Sequence, residues 1–259
     1  MNRTELTVAL AIAALVGIVF GVYPRLDLEI AGWFYDPTTH TFILNEMPWQ
    51  PVARDTVRWL ITALVVPALL AILGKLILPN RRMLITGRAT LFIALTLALG
   101  PGVLANMILK DHWGRSRPID VTEFGGTDQF TAWWDPRGPC PSNCSFVAGE
   151  PSGAFWTLAP AALAPPQWQP LAFGAAVTFG AAVGLLRMGA GSHFFSDVVF
   201  AGVLMFLVNW IFYSLIYRWR ATRLTDAAIE QPLTRAADAL RAGLSALGRL
   251  VGRRADKRS

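Results

Sequence analysis

Little in this sequence can hold a metal. Its 259 residues include two cysteines and three histidines, His40, His112 and His193, and no His-Glu-x-x-His pair is present, which excludes the common zinc sites. Neither a metal nor any other cofactor is expected. Charge is also scarce: Lys, Arg, Asp and Glu make up 15% of the chain, whereas 54% is hydrophobic and the mean hydropathy is +0.43. One soluble core does not bury that much apolar surface, so a water-soluble globule is excluded and a bilayer is the solvent. Glycine-rich nucleotide loops and internal repeats are missing as well.

The net charge of +6 does not point to nucleic acid, because the basic residues are not interleaved with aromatics on one face. Many lie toward the C-terminus, from Arg218, Arg220 and Arg223 to Arg253, Arg254, Lys257 and Arg258. Such a cluster beside an apolar span marks a cytoplasmic flank and attracts anionic lipid.

Apolar runs at residues 6–23, 57–78, 84–109, 153–163, 171–188 and 198–217 mostly approach the roughly 20 residues a helix needs to cross hydrocarbon. They predict an all-α polytopic membrane protein with about six transmembrane helices and an outward-facing active site. The first run is read as a retained helix, since Tyr23, Pro24 and Arg25 stand where a signal peptide would carry a small-residue cleavage site. Pro160, Pro165 and Pro166 interrupt the fourth, which reaches spanning length only if residues 146–148 join it. With the N-terminus inside, Arg81 and Arg82 fall on the cytoplasmic side and residues 24–56 and 110–150 form outer loops. Cys140 and Cys144 share the second of these loops, where an oxidising compartment would let them close a small disulfide ring. The chain thus divides into a six-helix domain over 1–218 and a basic amphipathic cytoplasmic tail over 219–259. In that tail Leu233, Ala237, Leu240, Leu244, Leu247 and Val251 form one stripe.

Ionisable residues gather at the outer helix ends in three stretches, 110–118, 145–150 and 187–197, and at such positions they point to function. Lys110 and Arg117 flank His112. A phosphate needs several fixed donors, for which Arg supplies a planar fork and Lys a point charge. Alone, that stretch reads equally as interfacial anchors snorkelling toward head groups. The third stretch is more specific. His193 and Asp197 are four apart at the start of the last span, so the carboxylate is expected to hold one imidazole nitrogen while the other faces substrate, as an oriented nucleophile requires. Arg187 and the amino end of that helix would add groups that favour an anion.

The spacing of Lys110, Arg117 and Pro118, followed by that of Arg187, His193 and Asp197, resembles the type 2 phosphatidic acid phosphatase superfamily of membrane lipid phosphatases. That family's pattern runs Lys, six residues, Arg-Pro; then Pro-Ser-Gly-His; then Ser-Arg, five residues, His, three residues, Asp. The resemblance implies a metal-independent hydrolase in which His193 attacks phosphorus to give a phosphohistidine, Asp197 orients it, and Lys110, Arg117, Arg187 and Gly149 hold the phosphate. The middle element departs from the pattern. Residues 145–150 align with it and set Glu150 where the second histidine belongs, while Pro151, Ser152 and Gly153 keep its letters but lead to Ala154, which cannot carry a proton. Leu186 also replaces the serine before Arg187.

Glu150 is therefore the expected general acid, with His112 as the other candidate. A carboxyl among cations is a weak proton donor, which suits a leaving oxygen that needs little protonic help. The 1-phosphate of lipid A is such a group, with an isoprenyl (undecaprenyl) diphosphate or phosphatidylglycerol phosphate as alternatives. Residues 146–150, and Phe34, Tyr35, Asp36 and Pro37, resemble the bacterial lipid A 1-phosphatase branch. The expected setting is a bacterial inner membrane, with the site facing the periplasm and both termini cytoplasmic. A phosphorylated lipid and the bilayer are the expected partners. A catalytically inactive lipid-binding or transport protein is the reading from another class, and the oligomeric state is not legible.

Overall fold

The computed structural model describes residues 1–256, with side chains through residue 245. Helix α1 (Arg3–Val22) starts at a capping box in which Asn2 Oδ1 accepts from the Glu5 amide at 2.9 Å and Glu5 Oε2 accepts from the Asn2 amide at 2.8 Å, satisfying amides that the first turn leaves open. A short α2 (Arg25–Gly32) follows. Next comes a minimal antiparallel hairpin, β1 (Tyr35–Asp36) and β2 (Thr41–Phe42), with Tyr35 opposite Phe42. Helix α3 (Gln50–Ile77) accommodates Pro67, and α4 (Gly87–Leu97) runs into a π-helical stretch, Ala98–Lys110. After a long loop come α5 (Gly149–Phe155), α6 (Leu158–Ala162), α7 (Gln169–Gly189), α8 (Phe195–Tyr213) with a π-helical end Ser214–Arg218, and α9 (Asp226–Asp256).

Among the described residues five helices are long and apolar enough to cross a membrane: Arg3–Val22, Gln50–Ile77, Gly87–Lys110, Gln169–Gly189 and Phe195–Arg218. The chain is an all-α, multi-pass membrane protein. The expected fourth span is not one helix but two short ones, α5 and α6, which meet at Trp156 and Thr157 and together lead from the start of α8, beside Ala148, to the start of α7, where the Ala162 carbonyl accepts from Gln169 Nε2 at 3.2 Å. The break has a local cause. Pro160 has no amide hydrogen for the carbonyl of Trp156, four residues earlier, and that carbonyl instead accepts from the Ala159 amide at 2.8 Å and from Asn209 Nδ2 at 3.5 Å. Trp156 is fully buried and donates from Nε1 to Thr96 Oγ1 at 3.0 Å, so the kink is packed.

The chain forms two compact units, one of residues 1–64 and 95–214, the other of residues 65–94 and 215–259. In the first, Phe146, Phe155, Met188, Phe200 and Met205 centre the core, and Phe20 of α1 stacks on Phe195 of α8 at 5.4 Å. Close helix approach depends on Gly180 and Gly184, where a Cβ would fall 2.2 Å from Phe155 and 2.3 Å from Val198. In the second unit α9 packs on residues 65–94: Ala237 is fully buried, Arg88 Nη2 reaches Asp226 at 3.3 Å and Lys75 Nζ lies 3.7 Å from Glu230. Leu247, Val251, Arg253, Arg254, Lys257 and Arg258, expected to extend the stripe and the basic end, lie outside the residues whose side chains are described.

Candidate active site

Helices α1 and α7 and the π-helical stretch after α4 end, and α3, α5 and α8 begin, near one set of loops in the first unit. Lys110 closes the π-helical stretch, whose wider turn is steadied by Asn106 Nδ2 donating to the Pro101 carbonyl at 2.6 Å. The chain then turns at Gly114, where φ is +77°. A returning strand of loop runs alongside: the amides of Cys140, Cys144 and Ser145 donate to the carbonyls of Gly114, Lys110 and Arg115 at 3.0, 2.8 and 2.7 Å. Cys140 and Cys144 form a disulfide with Cα atoms 5.8 Å apart. Within that small ring the Asn143 carbonyl accepts from Arg117 Nη2 at 2.7 Å, and the Asn143 amide donates to Asp111 at 3.1 Å.

His193 lies in the turn between α7 and α8, which neighbours secure on several sides. Gly191 takes φ +66°, and a Cβ there would lie 2.4 Å from the Phe42 ring. The Gly191 carbonyl accepts from the Ile119 amide and the Gly189 carbonyl from the Leu44 amide, both at 2.9 Å. The His193 ring is buried, with Nδ1 2.8 Å from the Ser145 carbonyl oxygen. A carbonyl only accepts, so Nδ1 carries the hydrogen and Nε2 keeps its lone pair. Burial, then the positive charges of Arg187, Lys110 and Arg117, hold the His193 pKa well below 6.5, against a smaller opposing effect of the Ser145 bond. The three expected cations thus act on one neutral imidazole.

The expected direct bond from Asp197 to His193 is corrected. As the third residue of α8, Asp197 turns back to cap the helix: its Oδ2 accepts from the Phe194 amide at 2.9 Å and from Ser145 Oγ at 2.5 Å, while Oδ1 pairs with Arg115 Nη1. It reaches the imidazole only through Ser145. Arg115, fully buried, also donates from Nη2 to Asp27 at 2.7 Å and from Nε to the Thr131 carbonyl at 3.0 Å, with its guanidinium 4.4 Å from the centre of the Phe194 ring. Burial alone would lower its pKa, but the carboxylates of Asp197 and Asp27 outweigh that and hold it above its ordinary value.

Glu150 stands at the rim. Its Oε1 accepts from Nε and Nη2 of Arg54 at 2.8 and 2.6 Å, and its Oε2 lies 3.4 Å from Arg187 Nε. Arg187 donates from Nη2 to Ser192 Oγ at 2.7 Å, while its buried Nε makes no hydrogen bond. A Cβ on Gly149 would lie 2.7 Å from Asn106 Oδ1 and 3.4 Å from Lys110 Nζ, so the ammonium sits beside this stretch of backbone. His112 is exposed, and no hydrogen bond joins it to these residues. Sequence reasoning missed Arg54, Arg115 and Asp27. Arg115 sits inside a stretch already singled out, whereas nothing local marks the other two. A neutral imidazole with a free nitrogen, facing fixed cations around one carboxylate, can bind a tetrahedral dianion and take up its phosphoryl group.

Residues 89–221 match the PAP2 superfamily. The chain is 36% identical over 219 residues to a lipid A 4′-phosphatase of Francisella tularensis subsp. novicida, covering 84% of this chain and 98% of that one. It is 38% identical over 104 residues to a lipid A 4′-phosphatase of Rhizobium leguminosarum, covering 40% of this chain and 45% of the relative. A Rhizobium etli protein of the same name is 36% identical over 102 residues, 39% of this chain and 40% of its own length. No solved structure matches.

Proposed function

Since the chain belongs to the PAP2 superfamily, we propose that it is a membrane lipid phosphatase acting on lipid A through a phosphohistidine at His193. The observation that carries this is the ring itself: Nδ1–H is committed to the Ser145 carbonyl, and Nε2 keeps its lone pair in the field of Lys110, Arg117 and Arg187. With those three cations and the Gly149 amide on the phosphoryl oxygens, Nε2 forms the N–P bond as the P–O bond to the sugar breaks. Donors fixed before the reaction stabilise the charge that builds there. Glu150, released from Arg54 as the lipid binds, takes a proton from solvent, passes it to the departing sugar oxygen and then takes one from the water that attacks the phosphohistidine. Orthophosphate and neutral His193 result.

We read the position of the phosphate as 4′, a reading supported by similarity to lipid A 4′-phosphatases, one of them matched over 98% of its length. The 1-phosphate expected from sequence is the second reading, and it is favoured by the pairing of Glu150 with Arg54, which occupies the carboxylate nearest the phosphate site and so suits a leaving oxygen that needs little protonic help. The setting is a bacterial inner membrane with the site toward the periplasm and both termini cytoplasmic, in keeping with Arg81, Arg82 and a disulfide beside the site. Residues 219–259 are the basic cytoplasmic part, drawn to anionic lipid rather than to nucleic acid.

Bis-phosphorylated lipid A incubated with purified protein in detergent and chelator, with products followed by 31P NMR and mass spectrometry, should lose its 4′-phosphate. Loss of the 1-phosphate would move the assignment to the second reading. Turnover of undecaprenyl diphosphate or phosphatidylglycerol phosphate with lipid A untouched would overturn the substrate, and an active His193→Ala protein would overturn the nucleophile.

A further inference from the structure

A chain of buried charge leads from α2, far from His193 in sequence, to the back of its ring. Asp27 Oδ1 accepts from the Ser196 amide at 3.0 Å, and Asp27 Oδ2 accepts from Ser196 Oγ at 2.6 Å and from Arg115 Nη2 at 2.7 Å. Arg115 Nη1 donates to Ser196 Oγ at 2.9 Å and pairs with Asp197 Oδ1. Asp197 Oδ2 accepts from Ser145 Oγ, and the Ser145 carbonyl accepts from His193 Nδ1. Ser145 is fixed from its other side as well, because its amide donates to the Arg115 carbonyl at 2.7 Å.

We propose that Asp27 and Arg115 are positioning residues for His193, acting through Asp197 and Ser145. The proposal rests on the phosphohistidine reading. Stability alone explains such a cluster poorly: Asp27, Arg115, Ser145, Ser196 and Asp197 are all at most 1% exposed, and a buried ion pair is often no more stabilising than apolar side chains of the same volume. Its geometry explains it better. One planar guanidinium bridges two carboxylates, which a lysine ammonium cannot reproduce, and the main-chain carbonyl of the same residue accepts from the Ser145 amide. Held this way, Nδ1–H stays on the Ser145 carbonyl and Nε2 is left as the atom that meets the phosphate, with Lys110, Arg117 and Arg187 acting on the ring.

The test uses the full-length protein in detergent, with rates expressed per active site from the phosphoenzyme burst. Asp27→Asn and Arg115→Lys should lower kcat on the order of 100-fold, the scale set by small misplacements of reacting groups, with KM changed by less than about threefold. Ser196→Ala removes one hydroxyl link, keeps the backbone, and should lower kcat by several-fold. With only three histidines in the chain, 15N NMR of the imidazoles gives a readout independent of turnover. His193 should show one Nδ1–H tautomer in the native protein and a mixture in Asp27→Asn and Ser196→Ala. Native kcat per site and an unshifted ring in Ser196→Ala and Asp27→Asn would overturn the proposal, even if Arg115→Lys failed to fold. Activity in His193→Ala would instead strike the phosphohistidine reading and leave the tautomer measurement to judge the positioning.

Discussion

The neutrality of His193 sets the acid side of the reaction. Its pKa lies well below 6.5 through burial and three neighbouring cations, so kcat/KM measured against pH should keep its plateau below 6.5 and fall only toward the depressed value. Stability follows the same sign. Below 6.5 the unfolded chain takes up a proton that the folded ring refuses, so this contribution is complete above 6.5 and is lost as pH falls toward the folded value; His193→Gln should flatten that part of a melting-temperature profile. Gly149→Ala is a second expectation. The new Cβ would meet Asn106 Oδ1 at 2.7 Å, and relief displaces Asn106 from Pro101 at about 1–3 kcal/mol, seen as a lower melting point and weaker substrate binding as Lys110 shifts. The spacing of Lys110, Arg117, Arg187, His193 and Asp197 was legible in the sequence because each sits at a fixed offset from a helix end. The partners of Asp27 and Arg54 were not, since they lie 88 and 96 residues away and only the folded chain selects them.

The disulfide ring acts on substrate binding through Arg117. Its Asn143 carbonyl accepts from that guanidinium, and Cys144 is bonded to the Lys110 backbone. Replacing both Cys140 and Cys144 by Ser should therefore raise KM several-fold and change kcat little, and dithiothreitol should reproduce this on the native protein; a fall in kcat with KM intact would contradict it. The π-helical end of α4 sets the direction of Lys110. Deleting one residue between 102 and 108 should turn that side chain by about 100° if the α-helical repeat is restored, removing activity while helical circular dichroism persists. Hydropathy located this span to within a few residues, but it counts apolar side chains and is blind to hydrogen-bond register. For the same reason it gave one helix where α5 and α6 stand: Pro160 marked the interruption, yet the turn also needs Trp156 seated against Thr96.

Five apolar helices and their polar loops divide the labour cleanly. The number and order of the long spans followed from composition, apart from the segment that breaks in two, while the gathering of loop residues from α2, α3 and the disulfide ring needed three-dimensional packing. The cations of the candidate site are fixed by the fold: Arg117 by Asn143, Arg187 by Ser192, and Arg54 by Glu150. Arg117 and Arg187 are held by partners that the phosphate does not replace, while the Arg54–Glu150 pair opens in each turnover. A pocket built this way does not discriminate sharply between a phosphate still joined to its sugar and one already cut free. Orthophosphate should compete with the lipid in initial-rate measurements, and progress curves should bend early unless it is trapped. Its escape, rather than cleavage, would then govern how quickly the next turnover begins.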